Sequence, residues 1–370
     1  MTDQAALDRW HMELALQLAA RGQGHVEPNP MVGCVVARGA EVVGLGWHRR
    51  YGGPHAEVEA LRTAGPLAQG ATLYVTLEPC CHQGKTPPCT QAILQSGVRR
   101  VVVALEDPFP AVRGSGVKQL REAGLEVSLG LLQEEARRLL APYLKRVLTG
   151  RPWVIAKWAS TWDGKLATHR GHSRWISNEA SRQVVHRLRG RVDAIVVGSG
   201  TVLADDPQLT VRPPGPRTPL RVVLDSRGRT PPQARLVQTA QEVPTLIATT
   251  EQTPFDHRRL WEQAGCQVLV LPGADYQQRW DQLLEELGRR GATNVLVEGG
   301  ARVLGQLLAA GAVDEVHLFL AAKLLGGQAP SPQSLDLPGP DTIQQTLHLE
   351  SPQVQVLQGD VYLQARVRRD

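Results

Sequence analysis

The stretch between residues 55 and 89 constrains this chain more than any other. It carries His55-Ala56-Glu57, then Glu78-Pro79-Cys80, then Thr86-Pro87-Pro88-Cys89. One imidazole and two thiols are the ligand set of a catalytic zinc whose fourth position stays open for a water with a pKa of about 7. To bind one ion, His55, Cys80 and Cys89 must converge from distant positions. Glu57, two residues from His55, suits a carboxylate that stays off the metal and carries a proton from water to a leaving amine. Cys81 and His82 compete with Cys80 for the ion. Cys80 is preferred because it directly follows Glu78-Pro79, the turn that ends a strand over 72–77.

This arrangement resembles the zinc-deaminase pattern H-x-E…P-C-x-x-C. It departs from that pattern in one respect: the eight residues from Cys81 to Pro88 separate the thiols, so a long loop replaces the single helical turn of a C-x-x-C pair.

With 370 residues the chain exceeds one ordinary core, and two domains are expected. Hydrophobic residues at 42% and charged residues at 21% describe a soluble globular protein. Acidic residues interrupt the first helix, so it does not read as a signal peptide, and no apolar run is long enough to span a membrane. Five cysteines make an odd, poorly spaced set for disulfides, which favours a reducing cytoplasm. The net charge of +5 raises nucleic acid as a partner. Scattered basic residues and 4% aromatics argue against it, and a mild positive balance also suits phosphorylated small molecules.

Along the chain, an amphipathic helix over 7–20 precedes strands at 31–37 and 41–47 joined by Arg38-Gly39-Ala40. A helix over 55–63 places His55 and Glu57 at a helix start, where backbone amides favour negative charge. Strands at 72–77, 101–104 and 125–129 alternate with helices at 90–96 and 117–123, which predicts a three-layer α/β sandwich with a mostly parallel sheet. Thr149-Gly150-Arg151-Pro152 is the boundary between domains 1–148 and 151–370. The second half opens with a strand at 153–160, an Asp163-Gly164 turn and a strand continuation at 165–168. Asn178 is placed to cap a helix over 179–189. Further strands fall at 194–198, 221–224, 245–248, 267–271, 294–297 and 315–320. Gly198-Ser199-Gly200 and Glu298-Gly299-Gly300 follow apolar strands and can approach a phosphate, although most such loops are only tight turns. Lys157 and Glu298 put charge where the pattern expects apolar residues, which together suggests a cleft.

On these stretches the sequence resembles the bifunctional deaminase/reductase family of riboflavin biosynthesis over nearly its whole length. The matching segments include Asn29-Pro30-Met31-Val32-Gly33, the zinc stretch, Glu106-Asp107-Pro108, Ser160-Thr161-Trp162-Asp163-Gly164, Thr201-Val202-Leu203-Ala204-Asp205-Asp206-Pro207, Val297-Glu298-Gly299-Gly300 and Lys323-Leu324-Leu325-Gly326. The resemblance implies a cytidine-deaminase-like sandwich followed by a dihydrofolate-reductase-like domain. The implied reactions are zinc-dependent deamination of a diamino-ribosylamino-pyrimidinone 5′-phosphate and NADPH-dependent reduction of its ribosyl group. Carried over by position, His55, Cys80 and Cys89 hold zinc, Glu57 moves the proton, and Asn29, His48, His82 and Lys85 contact the deaminase substrate. Ala159, Trp175, Thr201, Asp205, Ser226 and the run Gly300, Ala301, Arg302, Val303, Leu304, Gly305 and Gln306 fall where relatives hold NADPH. Ser173, Arg189, Leu209, Arg212 and Glu298 fall at the reductase substrate, with Lys157 as the group that stabilises or protonates the ribose ring oxygen. Arg189 and Arg212 suit bidentate phosphate binding. A cytoplasmic homo-oligomer, dimer or tetramer, without nucleic-acid or membrane partners is the matching expectation.

Two features depart from the family pattern: Cys81 stands where relatives often carry serine, and Ala301-Arg302 replaces small or hydroxyl residues. Two other readings are kept. One is a nucleic-acid base deaminase with an RNA-binding second half; the other is a deaminase with a non-catalytic nucleotide-binding domain.

Overall fold

The computed structural model describes residues 4–326 and 341–368, with Leu335 and Gly339. The chain divides into two compact units, Met1–Gly150 and Arg151–Asp370. Gly150 closes the last helix of the first unit in a left-handed conformation, its amide donating to the Arg146 carbonyl, and Pro152 follows.

The first unit runs α1 (Gln4–Ala20), β1 (Gly33–Arg38), β2 (Glu41–Trp47), α2 (Ala56–Ala64), β3 (Thr72–Val75), α3 (Cys89–Gln95), β4 (Arg100–Val103), α4 (Ser115–Glu122), β5 (Glu126–Leu129) and α5 (Gln133–Thr149). The strand order is β2-β1-β3-β4-β5. β1 is antiparallel to both neighbours, whereas β3, β4 and β5 are parallel. The sheet is thus mixed rather than mostly parallel, because the hairpin at Gly39 folds β2 back and leaves β1 between the two strands that α2 connects. Strand alternation supplies both layers. Val35, Tyr74 and Val102 pack with Met12, Leu18 and Leu140 from α1 and α5. On the opposite face, Cys34, Leu73, Val75 and Val103 pack with Ala60, Ile93 and Leu120 from α2, α3 and α4.

Two glycines set how closely α2 approaches β2. A Cβ on Gly46 would lie 2.2 Å from the Ala56 carbonyl oxygen, and one on Gly44 would lie 2.3 Å from that of Ala60. Because His55 is the residue capping α2 and Glu57 lies in its first turn, this contact fixes the height of both side chains over the sheet. Gly46→Ala is expected to destabilise the first unit by about 1–3 kcal/mol through overpacking. Denaturant unfolding followed by circular dichroism reads the effect. An unchanged midpoint would mean that α2 retreats without cost.

The second unit runs β6 (Trp153–Thr161), α6 (Glu179–Arg189), β7 (Ala194–Gly198), α7 (Ser199–Asp205), β8 (Leu220–Leu224), α8 (Arg235–Gln238), β9 (Thr245–Thr249), α9 (Phe255–Gln263), β10 (Gln267–Val270), α10 (Tyr276–Arg289), β11 (Asn294–Val297), α11 (Ala301–Ala309), β12 (Glu315–Ala321), β13 (Leu349–Leu357) and β14 (Asp360–Val367). The order is β10-β9-β8-β7-β11-β6-β12-β14-β13, parallel through β12 and antiparallel at β14 and β13. Val154, Val196 and Val295 face α10 and α11, where Trp280, Leu283 and Leu304 are buried. Ile155, Ile195 and Val223 face the layer holding Val185, Leu188, Leu236 and Trp261. Asn178 caps α6, its side chain accepting from the Ser181 amide at 2.9 Å.

The expected strand at 165–168 is absent. Lys165 makes only an isolated bridge. The chain turns back at Asp163-Gly164 only as far as the Thr161 amide, which donates to the Lys165 carbonyl at 3.0 Å, and then leaves β6. Among the described residues, no helix is long and apolar enough to cross a membrane.

Candidate active sites

In the first unit the metal-type residues arrive from three elements. His55 is the N-cap of α2, Cys80 follows β3, and Cys89 is the first residue of α3. Their ligand atoms lie within 4.8 Å of one another. His55 Nδ1 is 3.5 Å from Cys80 Sγ and 3.2 Å from Cys89 Sγ. Nitrogen and sulfur ligands on a tetrahedral zinc stand about 3.5 Å apart, so both imidazole–thiol separations suit the ion. The Cys89 amide also donates to Cys80 Sγ at 3.3 Å. The hydrogen bond from the Cys89 thiol, helped by His55, lowers the Cys80 pKa to about 4 against the effect of burial, so this thiol already favours its ligating form.

Cys81 and His82 do not join the cluster. Cys81 Sγ donates to the Ala111 carbonyl at 3.7 Å. The ring of His82 lies 6.0 Å from that of Phe109.

Glu57 is 3% exposed, and burial raises its carboxyl above the ordinary range. A carboxyl that binds its proton more tightly than usual is suited to taking one from water and holding it for a leaving group. His48 lies edge-on to His55, with ring centroids 5.3 Å apart. Its Nδ1 donates to the Pro54 carbonyl at 2.9 Å, which leaves Nε2 to accept from Asn29 Nδ2 at 3.2 Å. Burial lowers the His48 pKa, consistent with this neutral tautomer. Lys85, on the thiol loop, places its Nζ 4.0 Å over the Tyr51 ring.

One residue in the zinc stretch has a role that the sequence reading did not assign. Glu78 is 4% exposed and accepts from the amides of Asp107, Gly114 and Val117 at 3.3, 2.9 and 2.9 Å. It ties the 106–117 loop to the base of the thiol segment. A charge directly after an apolar strand, the cue used for Glu298, was the available signal.

In the second unit a cavity of about 1180 Å³ opens at the carboxyl ends of the parallel strands. It is lined by Lys157, Ala159, Ser173, Trp175, Arg189, Thr201, Asp205, Leu209, Arg212, Ser226 and Glu298, and by Gly300, Ala301, Arg302, Val303, Leu304 and Gln306. Gly305 is not part of the lining and is buried within α11. Gly299 and Gly300 take positive φ values of 111° and 45°, so the chain turns sharply from β11 into α11. Arg227, Arg229 and Arg279 also line the cavity, and its arginines outnumber its acids, Asp205, Asp206, Asp225 and Glu298. Such a volume and charge suit two anionic ligands.

Strand register sets the deepest charges. Val297 pairs with Ala156, so Glu298 emerges beside Lys157. Arg189 grips the Glu298 carboxylate through Nε at 2.5 Å and Nη2 at 2.7 Å, and Lys157 Nζ is 4.0 Å from the same group. Burial alone would raise the Glu298 pKa, but Arg189 and then Lys157 more than offset it and hold the carboxyl below its ordinary value. Burial lowers the Lys157 ammonium pKa despite Glu298. The Arg189 fork is thus engaged by a carboxylate, while Arg212 is exposed at the cavity. Over the opening, Ser173 donates to Asp205 at 3.3 Å, and Lys323 Nζ donates to the carbonyls of Trp175 and Ile176, each at 2.7 Å.

The sequence pattern of the cytidine and deoxycytidylate deaminase zinc-binding region matches residues 5–105, and that of the RibD C-terminal domain matches residues 152–363. The chain is 44% identical to riboflavin biosynthesis protein RibD of Aquifex aeolicus (strain VF5), over 86% of this chain and 88% of that one. It is 41% identical to the RibD of Bacillus amyloliquefaciens, over 97% and 96%. Among solved structures, Acinetobacter baumannii RibD (form 1) superposes with a TM-score of 0.86 at 36% identity, covering 99% of this chain and all (100%) of that one. A diaminohydroxyphosphoribosylaminopyrimidine deaminase/5-amino-6-(5-phosphoribosylamino)uracil reductase of Thermotoga maritima gives 0.84 at 34%, with the same coverage.

Proposed function

The chain belongs to the RibD family of bifunctional riboflavin-biosynthesis deaminase/reductases, and from that premise we propose which residues perform each step. The first unit deaminates 2,5-diamino-6-ribosylamino-4(3H)-pyrimidinone 5′-phosphate by hydrolysis. The second reduces the ribosyl group of the product to ribityl with NADPH. The observation that carries this reading is the convergence of His55 Nδ1, Cys80 Sγ and Cys89 Sγ.

Bound by those three atoms, zinc supplies Lewis-acid activation of a water. A Glu57 carboxyl oxygen takes the water proton and returns it to the exocyclic nitrogen, so that ammonia leaves. Asn29 and His48 orient the pyrimidinone, with His82 and Lys85 closing on the substrate from the thiol loop. The cavity of the second unit would hold NADPH, which when bound would supply a hydride for the reduction. Lys157, set against Glu298, gives its Nζ proton to the ribose ring oxygen as the ring opens. Ser173, Leu209 and Arg212 hold the substrate. Ala159, Trp175, Thr201, Asp205 and Ser226 hold the cofactor together with Gly300 to Leu304 and Gln306, while Gly305 stays buried in α11. Arg189 acts on substrate through the carboxylate that it orients.

All five cysteines are free, which supports a reducing, cytoplasmic setting. The exposed Val354 and Val356 of β13 support self-association into a homo-oligomer. The test combines purified protein with the diamino substrate and NADPH, following ammonia and NADPH absorbance together. Both signals are expected, ammonia first. Ammonia without NADPH oxidation would reduce the second unit to a nucleotide binder, and activity only on a nucleic-acid base would overturn the reading.

A further inference from the structure

The long thiol loop carries a side chain that the mechanism above does not use. Thr86 Oγ1 lies 3.4 Å from His55 Nε2, the ring nitrogen facing away from the two sulfurs. His55 Nδ1 is the atom directed at Cys80 and Cys89. With Nδ1 committed to a metal, Nε2 carries the only ring proton, and the Thr86 hydroxyl oxygen is positioned to accept it. Ligating histidines generally hold their second N–H on such a partner, which fixes the tautomer and raises ligand basicity.

The local sequence holds Thr86 in place. Pro87 disfavours the helical region for the preceding residue, and Pro87-Pro88 leads directly into Cys89 at the start of α3. The loop turns back on itself before this point, with the Gly84 amide donating to the Thr86 carbonyl at 3.2 Å. The Thr86 hydroxyl is therefore placed by the same short segment that delivers a metal ligand.

We propose that Thr86 is a positioning residue of the zinc site, accepting the Nε2 proton of His55, and that the extended loop between the thiols serves in part to deliver it. This rests on the reading of His55, Cys80 and Cys89 as the zinc ligands. The experiment compares full-length wild type, Thr86→Val, Thr86→Ser and His55→Ala in zinc competition against a chromophoric chelator. Thr86→Val keeps the shape but removes the acceptor, and its zinc affinity is expected to fall about 10–100-fold. Thr86→Ser restores the oxygen and is expected to recover most of that loss, which a role in packing alone would not produce. Wild-type affinity in Thr86→Val, or equal weakening in both Thr86 variants, overturns the proposal while leaving the ligand assignment intact. Undiminished zinc binding in His55→Ala overturns the ligand assignment and the proposal with it.

Discussion

Glu57→Gln is expected to lower the rate of ammonia release by about 10²–10⁴-fold while leaving the zinc content unchanged. Glutamine preserves the size and hydrogen-bonding reach of the side chain but cannot carry a proton. The separation of effects follows from position. The three atoms that converge on the ion come from His55, Cys80 and Cys89, and Glu57 sits buried in the first turn of α2 beside them. Metal analysis together with an ammonia assay checks the result. Loss of zinc would make Glu57 a ligand, and retained activity would remove it from proton transfer. Reduction of separately supplied deaminated substrate should proceed at the wild-type rate.

Lys157→Ala is expected to cut NADPH oxidation by about 10²–10⁴-fold with deamination spared. Removing this ammonium takes away the proton source for the ribose oxygen, but it does not strand Glu298, because Arg189 still holds the carboxylate through two hydrogen bonds. The variant should therefore fold, and the loss should appear in kcat. Stopped-assay measurement of both products separates the outcomes. Equal loss of the two activities would point to misfolding, and undiminished reduction would exclude Lys157 from the chemistry.

The convergence of His55, Cys80 and Cys89 was legible in the sequence because zinc-ligand chemistry admits few residue types, although Cys81 and His82 offered the same atoms beside Cys80. The three-layer form of the first unit was legible from strands alternating with helices. Its mixed sheet was not, since alternation alone does not say on which side of β1 a hairpin partner lies. Glu78 was passed over as part of a turn because its partners, the amides of Asp107, Gly114 and Val117, are remote in sequence and carry no side-chain signature. The closing β13–β14 hairpin escaped for a different reason. β13 is exposed along most of its length and contains Pro352, and a register irregularity between Glu350 and Gln353 absorbs that proline, so neither alternation nor composition marks a strand. Its turn, Gln358-Gly359, has positive φ at both residues, as two-residue hairpins favour. For Arg189, residue type suggested phosphate binding, and only the fold, which sets the end of α6 against the end of β11, brings its fork a carboxylate.

That pairing gives the reductase cavity a built-in compass. Before any ligand enters, Glu298 already offsets one of the two positive charges that Arg189 and Lys157 bring to its floor. Exposed Arg212 retains its attraction for anions at the mouth. A phosphate entering this cavity is therefore expected to meet exposed Arg212 rather than the Arg189 fork, which a carboxylate already occupies.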